Sequence, residues 1–242
     1  HSQQSIAETL KIGQRAQAAV LISHHKLQGQ ANWGHSAQTL PQIEAAMRRQ
    51  CVSLDCYPYH ASSTILHLQE ERLSGRIVVA DSASHPELQG QELGDIARRW
   101  QVSRAEASAR LQPASAIYFN MDERDVQRIL QFGPTMIGSD GVPSNERPHP
   151  RLWGTFPRVL GHYSRDLGLF PLETAVWKMT GLTAEVFGID KRGVLAEGHY
   201  ADLCVFDPQT VRDTATFEDP KQAAAGIDCV IVNGAIAYEQ GV

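Results

Sequence analysis

The stretch TMIGSDG at residues 135–141 is the part of the sequence that decides the fold. A short apolar run stops at a glycine, and Asp140 follows in the turn. This pattern predicts a strand that presents a carboxylate at its C-terminal end, where barrel enzymes of the α/β class carry their reactive groups. Ser-Asp-Gly is also an ordinary turn composition, so a purely structural turn is the alternative interpretation.

A second apolar run, at residues 18–23, ends in the same way and is followed by His24, His25 and Lys26. The neutral imidazole of His24 is suited to bind a divalent metal ion, and a polar strand end that reaches water is the alternative. Side chains alternate along a strand, which predicts that His25 points to the opposite face and that Lys26 returns to the face of His24. A histidine and an aspartate at two strand ends indicate a metal-assisted hydrolase.

The surrounding sequence alternates between helical and strand patterns, which predicts a parallel α/β arrangement. A helical pattern near residues 6–13 precedes the strand at 18–23, and a helix at 40–50 precedes a strand at 51–57. The pair Asn233-Gly234 predicts a hairpin. Further patterns predict strands at 76–80, 116–119, 200–206 and 230–238, and helices at 94–111, 123–131, 156–166 and 172–187.

Composition narrows the class of protein. The chain has 242 residues, a formal net charge of -5 and no Lys/Arg cluster longer than a pair, which argues against a nucleic-acid or membrane partner. No apolar run approaches the roughly 20 residues of a membrane span. The four cysteines form no Cys-x-x-Cys pair, and we expect Cys51 and Cys56 to be buried thiols in a reducing, cytoplasmic protein. A helical pattern already under way near His1 predicts the C-terminal part of a longer protein.

Two further segments carry candidate binding residues. The loop at residues 145–151 holds two arginines and a histidine between prolines, and the planar fork of Arg151 suits capture of a carboxylate, with a solvated loop as the alternative. Tyr57 ends a predicted strand, from which its hydroxyl could face a pocket, although aromatic residues there more often pack in the core. Ser139 lacks the Gly-x-Ser-x-Gly spacing of a nucleophile elbow, which disfavours a serine hydrolase.

Together, four motifs resemble those of the N-acyl-D-amino-acid deacylases (D-aminoacylases), a family of the metal-dependent amidohydrolase superfamily. The string at 146–158 is the most specific of them, and residues 193–208 resemble the return to the small β-domain of that superfamily. The motifs are ISHHK at 22–26, LDCYPY at 54–59, IGSDG at 137–141 and ERPHPRLWGTFPR at 146–158.

The resemblance implies an α/β fold, namely the C-terminal part of a TIM-type (β/α)8 barrel with a small inserted subdomain and part of a β-sandwich domain. Under this interpretation, residues 1–59 hold the sixth and seventh barrel strands and residues 60–120 form an insertion or lid. Residues 121–192 hold the last barrel strand and the helices after it. Residues 193–242 form part of the small β-domain.

The resemblance also implies zinc-dependent hydrolysis of the amide bond of a small-molecule substrate, an N-acyl-D-amino acid. The alternatives are a related amidohydrolase that acts on N-acyl-D-glutamate, N-acyl-D-aspartate or a cyclic amide, and an inactive partial chain, because the family's remaining metal ligands have no counterpart here. Carried over by residue, the roles are His24 as a metal ligand, Asp140 as the catalytic carboxylate, and Arg151, Lys26, Tyr57 and Ser63 in substrate binding.

Overall fold

The computed structural model describes residues 2–142 and 147–240, and in these ranges the strands form three sheets of three strands each. One sheet is parallel and two are antiparallel, in agreement with the α/β class. The helices are α1 (Gln3–Ala16), α2 (Ser36–Met47), α3 (Leu93–Trp100), α4 (Arg104–Leu111), α5 (Glu123–Gln131), α6 (Arg151–Arg158), α7 (Leu172–Met179) and α8 (Gly181–Phe187). The strands are β1 (Val20–Ile22), β2 (Val52–Cys56), β3 (Ser62–Ile65), β4 (Arg76–Ser82), β5 (Ala114–Phe119), β6 (Thr135–Ile137), β7 (Leu203–Phe206), β8 (Ile227–Val232) and β9 (Ala235–Glu239).

The parallel sheet has the order β1-β2-β6 and brings the two predicted strand ends to one edge. Ile22 lies beside Leu54, and Cys56 lies beside Ile137. These residues are buried in one core together with apolar side chains of α1, α2 and α5. Because all three strands run in the same direction, the residues that follow β1 and β6 lie on either side of the end of β2.

The thiols do not all lie where the sequence predicted. Cys56 is buried at the end of β2, as expected, whereas Cys51 is exposed, so that part of the prediction was wrong. The strand begins at Val52, one residue later than predicted, and Cys51 contributes its carbonyl to the N–H of Val20 at the edge of the sheet.

Residues 62–119, between β2 and β6, form a compact unit with its own core, whereas α5 packs in the core of the parallel sheet. The antiparallel sheet of this unit has the order β3-β5-β4, and the apolar side chains of this sheet are buried against α3 and α4. The single helix predicted at 94–111 is two helices, because Gln101 adopts a left-handed conformation and Ser103 caps the second helix by accepting the N–H of Glu106.

The C-terminal part contains two further differences from the sequence predictions. The helix predicted at 156–166 begins earlier, as α6, and continues through a π-helical segment at Val159–Asp166. The helix predicted at 172–187 is interrupted at Thr180, whose hydroxyl donates to the carbonyl of Val176. At the following residue the Trp177 ring occupies the space where any side chain larger than glycine would lie, so Gly181 is needed there.

The last sheet has the order β7-β8-β9 and confirms the predicted hairpin. Asn233 and Gly234 join β8 to β9, and both have positive φ angles of 52° and 81°, as a two-residue hairpin turn requires.

In the part of the chain described, no helix combines the length and the apolar character that a membrane crossing needs.

Candidate functional site

A cavity of about 610 Å³ opens at the C-terminal ends of β1 and β6, and we call it the strand-tip cavity. Its walls come from the turns after these strands, from the edge strand β3 and from the start of α6. The described residues that line it are His24, Lys26, Gln28, Ser62, Ser63, Thr64, Ile65, Ser115, Asp140, Val142 and Arg151. Five of the six predicted site residues are therefore brought together, and Tyr57 lies beneath the cavity.

His24 and Asp140 share an unusual backbone conformation. Their φ angles are 45° and 49°, in the left-handed region that residues other than glycine seldom adopt. Such strain persists only where the surroundings enforce it, and it concentrates at functional sites. Both turns direct their side chains into the cavity just after the strands end.

Asp55 holds the turn that carries His24, and sequence reasoning did not single it out. Its side-chain Oδ1 accepts the N–H of His24 at 2.7 Å, and its carbonyl accepts the N–H of His25 at 2.7 Å. The same carboxylate faces Gly138, where an added Cβ would lie 3.2 Å from Oδ1. Asp55 thus contacts the turns after both neighbouring strands. An acidic residue between the buried Leu54 and Cys56 was the signal available in the sequence.

Arg151 is the most deeply buried cation of the cavity, with 1% of its surface exposed. Its Nη2 atom lies 2.9 Å from Oδ2 of Asp140 and 3.4 Å from the carbonyl oxygen of Ser63. Its Nε and Nη1 atoms have no hydrogen-bond acceptor within residues 2–142 and 147–240. Both atoms are shielded from solvent, so the contact of Arg151 that the structure shows at the cavity is the one with Asp140.

Tyr57 supports the two cations of the cavity. Nζ of Lys26 lies 4.9 Å from the ring centroid and the guanidinium carbon of Arg151 lies 4.6 Å from it, which are cation–π distances. The Tyr57 hydroxyl lies 3.8 Å from the sulfur of Met121, and burial raises the pKa of this phenol. The predicted contact of Tyr57 with a substrate stays a prediction, since the cavity wall does not include it.

Lys26 returns to the cavity face as expected from strand alternation, and burial lowers its pKa to about 8, while the negative charge of Asp140 acts in the opposite direction. His25 is fully buried on the opposite side, where its Nε2 lies 3.0 Å from the hydroxyl oxygen of Thr39. Burial lowers the pKa of His25 to about 3. The predicted division of roles between the two histidines is therefore consistent with their positions.

Ser63 lies on β3, the edge strand that forms one wall of the cavity. Its carbonyl contacts Arg151, and the neighbouring Ser62 hydroxyl accepts a hydrogen bond from Gln28 at 2.9 Å. This wall is therefore rich in hydroxyl groups. Residues 143–146, which include Asn145 and Glu146 of the predicted binding loop, lie outside the described residues.

Among the described residues, the donors for a metal ion are incomplete. His24 and Asp140 supply an imidazole and a carboxylate at the same cavity, and both suit zinc. Within the described ranges, no three His, Cys, Asp or Glu side chains come together as a metal site. A catalytic zinc site uses three protein ligands and an open position, so these two donors fit as part of a site and do not form one by themselves.

Comparison with known proteins identifies the class: the model of the amidohydrolase family matches residues 91–238, and the chain belongs to that family. It is 60% identical over 240 residues to the D-aminoacylase of Alcaligenes xylosoxydans xylosoxydans, a match that covers 99% of this chain and 50% of the relative. The chain thus spans about half the length of the curated relatives it matches.

Solved structures agree with this assignment and with the α/β amidohydrolase fold. One structure, from a study of the binuclear metal center in D-aminoacylase, superposes with a TM-score of 0.96 at 60% identity. The match covers 99% of this chain and 50% of that one. Another is N-acyl-D-glutamate deacylase from Bordetella bronchiseptica with zinc and a phosphonate mimic of the tetrahedral intermediate. It superposes with a TM-score of 0.95 at 48% identity, covering 98% of this chain and 50% of that one.

Proposed function

We propose that this chain is the C-terminal half of an enzyme that hydrolyses N-acyl-D-amino acids to a D-amino acid and a carboxylic acid. The observation that carries the proposal is the buried guanidinium of Arg151, which lines the strand-tip cavity and lies 2.9 Å from the carboxylate of Asp140. The similarity to D-aminoacylase supplies the substrate class.

The substrate carboxylate would bind Arg151. A planar guanidinium pairs with a carboxylate through two parallel hydrogen bonds, which fixes the orientation of the bound group as well as its charge. Lys26 lies on the same Tyr57 ring and adds a second positive charge close by. Ser63 would contribute from the edge of β3. Anchoring the carboxylate at a fixed point lets the cavity walls distinguish the D from the L configuration at the adjacent carbon.

Asp140 would move the proton. Its side chain is 34% exposed, so it reaches the cavity, and its Oδ2 lies 2.9 Å from Nη2 of Arg151. We propose that it accepts a proton from the attacking water and then donates that proton to the departing amine nitrogen. General acid–base catalysis of this kind usually contributes about 10²- to 10⁴-fold to the rate.

Zinc is the metal that we propose for this centre, on the strength of the zinc-bound N-acyl-D-glutamate deacylase. When bound, it would supply Lewis acidity toward the acyl carbonyl and the attacking water. His24 would be one of the zinc ligands. The hydrogen bond from the main-chain N–H of His24 to Asp55 would hold the imidazole at the end of β1. The remaining ligands would come from the part of the protein that this chain does not span.

The fold that we propose is also one part of a larger whole. We propose that β1, β2 and β6 are the last three strands of a TIM-type barrel, with an insertion at 60–120 and part of a β-sandwich domain at 193–242. The parallel order of the strands and a cavity at their C-terminal ends support this arrangement.

The test is a substrate panel with the full-length protein that carries this chain. We expect hydrolysis of N-acetyl-D-amino acids, little hydrolysis of their L enantiomers, and loss of activity after treatment with a chelator that zinc restores. In the Arg151→Met variant, the substrate carboxylate would lose its partner, and KM should rise about 30-fold or more, the usual consequence of removing one partner of a buried charge pair. Equal hydrolysis of both enantiomers, or activity insensitive to the chelator, would contradict the proposal.

N-acyl-D-glutamate is a second candidate substrate. Two cations, Lys26 and Arg151, lie at the same cavity, and the structure of an N-acyl-D-glutamate deacylase superposes closely. Two positive charges could hold two carboxylates of one ligand. Comparing kcat/KM for the N-acetyl derivatives of D-glutamate, D-glutamine and D-leucine decides between the candidates, since only a site for two carboxylates favours glutamate over glutamine.

A further inference from the structure

His149 lies two residues before Arg151, and both of its ring nitrogens contact main-chain groups. Nδ1 lies 3.0 Å from the amide nitrogen of Arg151, and Nε2 lies 3.0 Å from the carbonyl oxygen of Ala61. An amide N–H can only donate and a carbonyl can only accept. The ring must therefore be neutral, with Nδ1 bare and the proton on Nε2.

Aromatic side chains hold this ring in one orientation. The ring centroids of Tyr59 and Phe217 lie 5.1 Å and 5.0 Å from that of His149, at interplanar angles of 87° and 75°. These are edge-to-face contacts. His149 is 3% exposed, and the same Tyr57 ring that lies 6.3 Å from it also supports the guanidinium of Arg151.

The contact with Arg151 comes at the start of α6, where the helix has no conventional cap. Pro150 occupies the cap position and provides no side-chain acceptor. The Nδ1 atom of His149 accepts the N–H of the first helical residue in its place. Ala61 immediately precedes β3, whose Ser63 carbonyl faces the guanidinium of Arg151. One ring thus joins the start of α6 to the start of the strand that forms the cavity wall.

We propose that His149 is a positioning residue that sets the direction of the Arg151 guanidinium and thereby the affinity for the substrate carboxylate. The inference rests on the proposed role of Arg151. Asp140 and Ser63 locate Arg151 at its guanidinium end, and His149 locates it at the main chain. A long, flexible side chain held at both ends loses less conformational freedom when it binds a carboxylate.

The test separates the two contacts of the ring with matched variants of the full-length protein. In His149→Asn the side-chain oxygen replaces Nδ1 and keeps an acceptor for Arg151, whereas in His149→Gln the amide reaches toward Ala61 and leaves the Arg151 N–H unpaired. His149→Phe keeps the ring and removes both contacts. His85→Asn, at a partly exposed histidine of the insertion, is the control. Each variant is assayed with an N-acetyl-D-amino acid and with the corresponding carboxamide, which lacks the negative charge.

We expect His149→Gln and His149→Phe to raise KM for the acid about 5- to 50-fold, as loss of a buried hydrogen-bond partner predicts. In both variants kcat should change by less than about threefold and KM for the carboxamide by less than about twofold. His149→Asn should stay within about threefold of the parent protein for both compounds, and His85→Asn should change nothing. Should His149→Phe fail to fold, the comparison of the Asn and Gln variants decides.

Three results would overturn the inference while leaving the proposed function intact. In the first, His149→Gln keeps the KM of the parent protein and His149→Asn does not. In the second, KM rises equally for the acid and the carboxamide, and in the third KM changes in no variant. A parent protein that cleaves neither compound would overturn the proposed function and this inference with it. Independently of activity, ¹⁵N NMR can report the tautomer of the His149 ring, whose signals are identified by their loss in His149→Phe. We expect this ring to be neutral and protonated on Nε2. Protonation of the His149 ring on Nδ1 would contradict the geometry.

Discussion

The parallel sheet and the C-terminal sheet each contain three strands, yet they hold their side chains in different ways. All three residues of β6 are buried, and Asp55 of β2 makes defined hydrogen bonds at the strand tips. By contrast, no residue of β7, β8 or β9 is fully buried, and β9 is exposed along its whole length. A β pattern by itself therefore does not show which strands are fixed from several directions, as β2 and β6 are beside the strand-tip cavity.

The largest effect that we expect comes from the tip of the parallel sheet. Asp140→Asn keeps the size of the side chain and removes its ability to accept a proton, so kcat of the full-length protein should fall about 10²- to 10⁴-fold. Steady-state kinetics with an N-acetyl-D-amino acid measures this. Turnover within about threefold of the parent protein would show that Asp140 does not move the proton and that the tip is no more sensitive than the rest of the sheet.

A second effect tests how the parallel sheet is anchored. Lys178 is 1% exposed, and its Nζ atom donates to the carbonyls of Phe132, Gly133 and Thr135 at 2.6 Å, 3.0 Å and 3.1 Å, just before and within β6. Lys178→Met would leave three acceptors unpaired, and we expect the free energy of unfolding to fall by about 2–4 kcal/mol.

Urea denaturation of the Lys178→Met variant and of its exposed neighbour variant Glu173→Gln gives the comparison. The control should change the free energy of unfolding by less than about 0.5 kcal/mol. Equal effects of the two substitutions would mean that the three carbonyls find water or another donor when the ammonium is removed.

A third effect is a dependence of stability on pH. Burial, together with the charge of Arg151, holds the pKa of His149 well below its ordinary value, and His60 adds a smaller effect in the same direction. The unfolded chain binds a proton at this residue below about pH 6.5, whereas the folded chain does not, so stability is lost as the pH falls. The loss approaches about 1.4 kcal/mol per pH unit for each such group.

Denaturation curves between about pH 7 and pH 5 measure this slope. His25, whose pKa burial lowers to about 3, acts in the same direction. His149→Asn should therefore reduce the slope without abolishing it. An unchanged slope in the variant would show that His149 is not a source of the acid sensitivity.

The smallest effect should come from the C-terminal sheet. Ile236 is 63% exposed on β9, and Ile236→Thr should change the free energy of unfolding by less than about 0.5 kcal/mol in this chain. The same substitution should also be measured in the full-length protein. A loss above about 1 kcal/mol there would show that another part of the protein covers this face of the sheet.

The sequence was sufficient for the strand tips, because an apolar run that stops at turn residues has few other structural solutions. His24, Lys26 and Asp140 lie at the cavity for this reason. The interruptions of the helices were harder to predict. Ser103 caps a helix only because Gln101 turns the chain first, and Gly181 matters only because the Trp177 ring lies beside it. Both depend on neighbours that a periodic pattern does not encode.

Contacts between distant residues were the other part that the sequence did not reveal. In the sequence Asp55 is one polar residue of a strand, and its hydrogen bond with the turn at His24 is visible only in the folded structure. The fork of Arg151 predicts an affinity for carboxylates, but its burial and its pairing with Asp140 require the cavity to be assembled. The ring face of Tyr57 lies against Lys26 and Arg151, which its place at a strand end does not reveal, and the predicted contact of its hydroxyl with a substrate stays a prediction. Each of these properties arises from packing.

The separate core of residues 62–119 has a consequence for how this region can vary. Leu73, Ile77 and Leu93 are buried against partners within this unit, so its apolar core is separate from the core of the sheet that precedes Asp140. The contacts of His149 with Ala61 and of Arg151 with Ser63 join this unit to α6 and the loop before it. Replacing residues 62–119 by those of a relative should therefore disturb the strand-tip cavity least when the residues on both sides of these contacts are exchanged together.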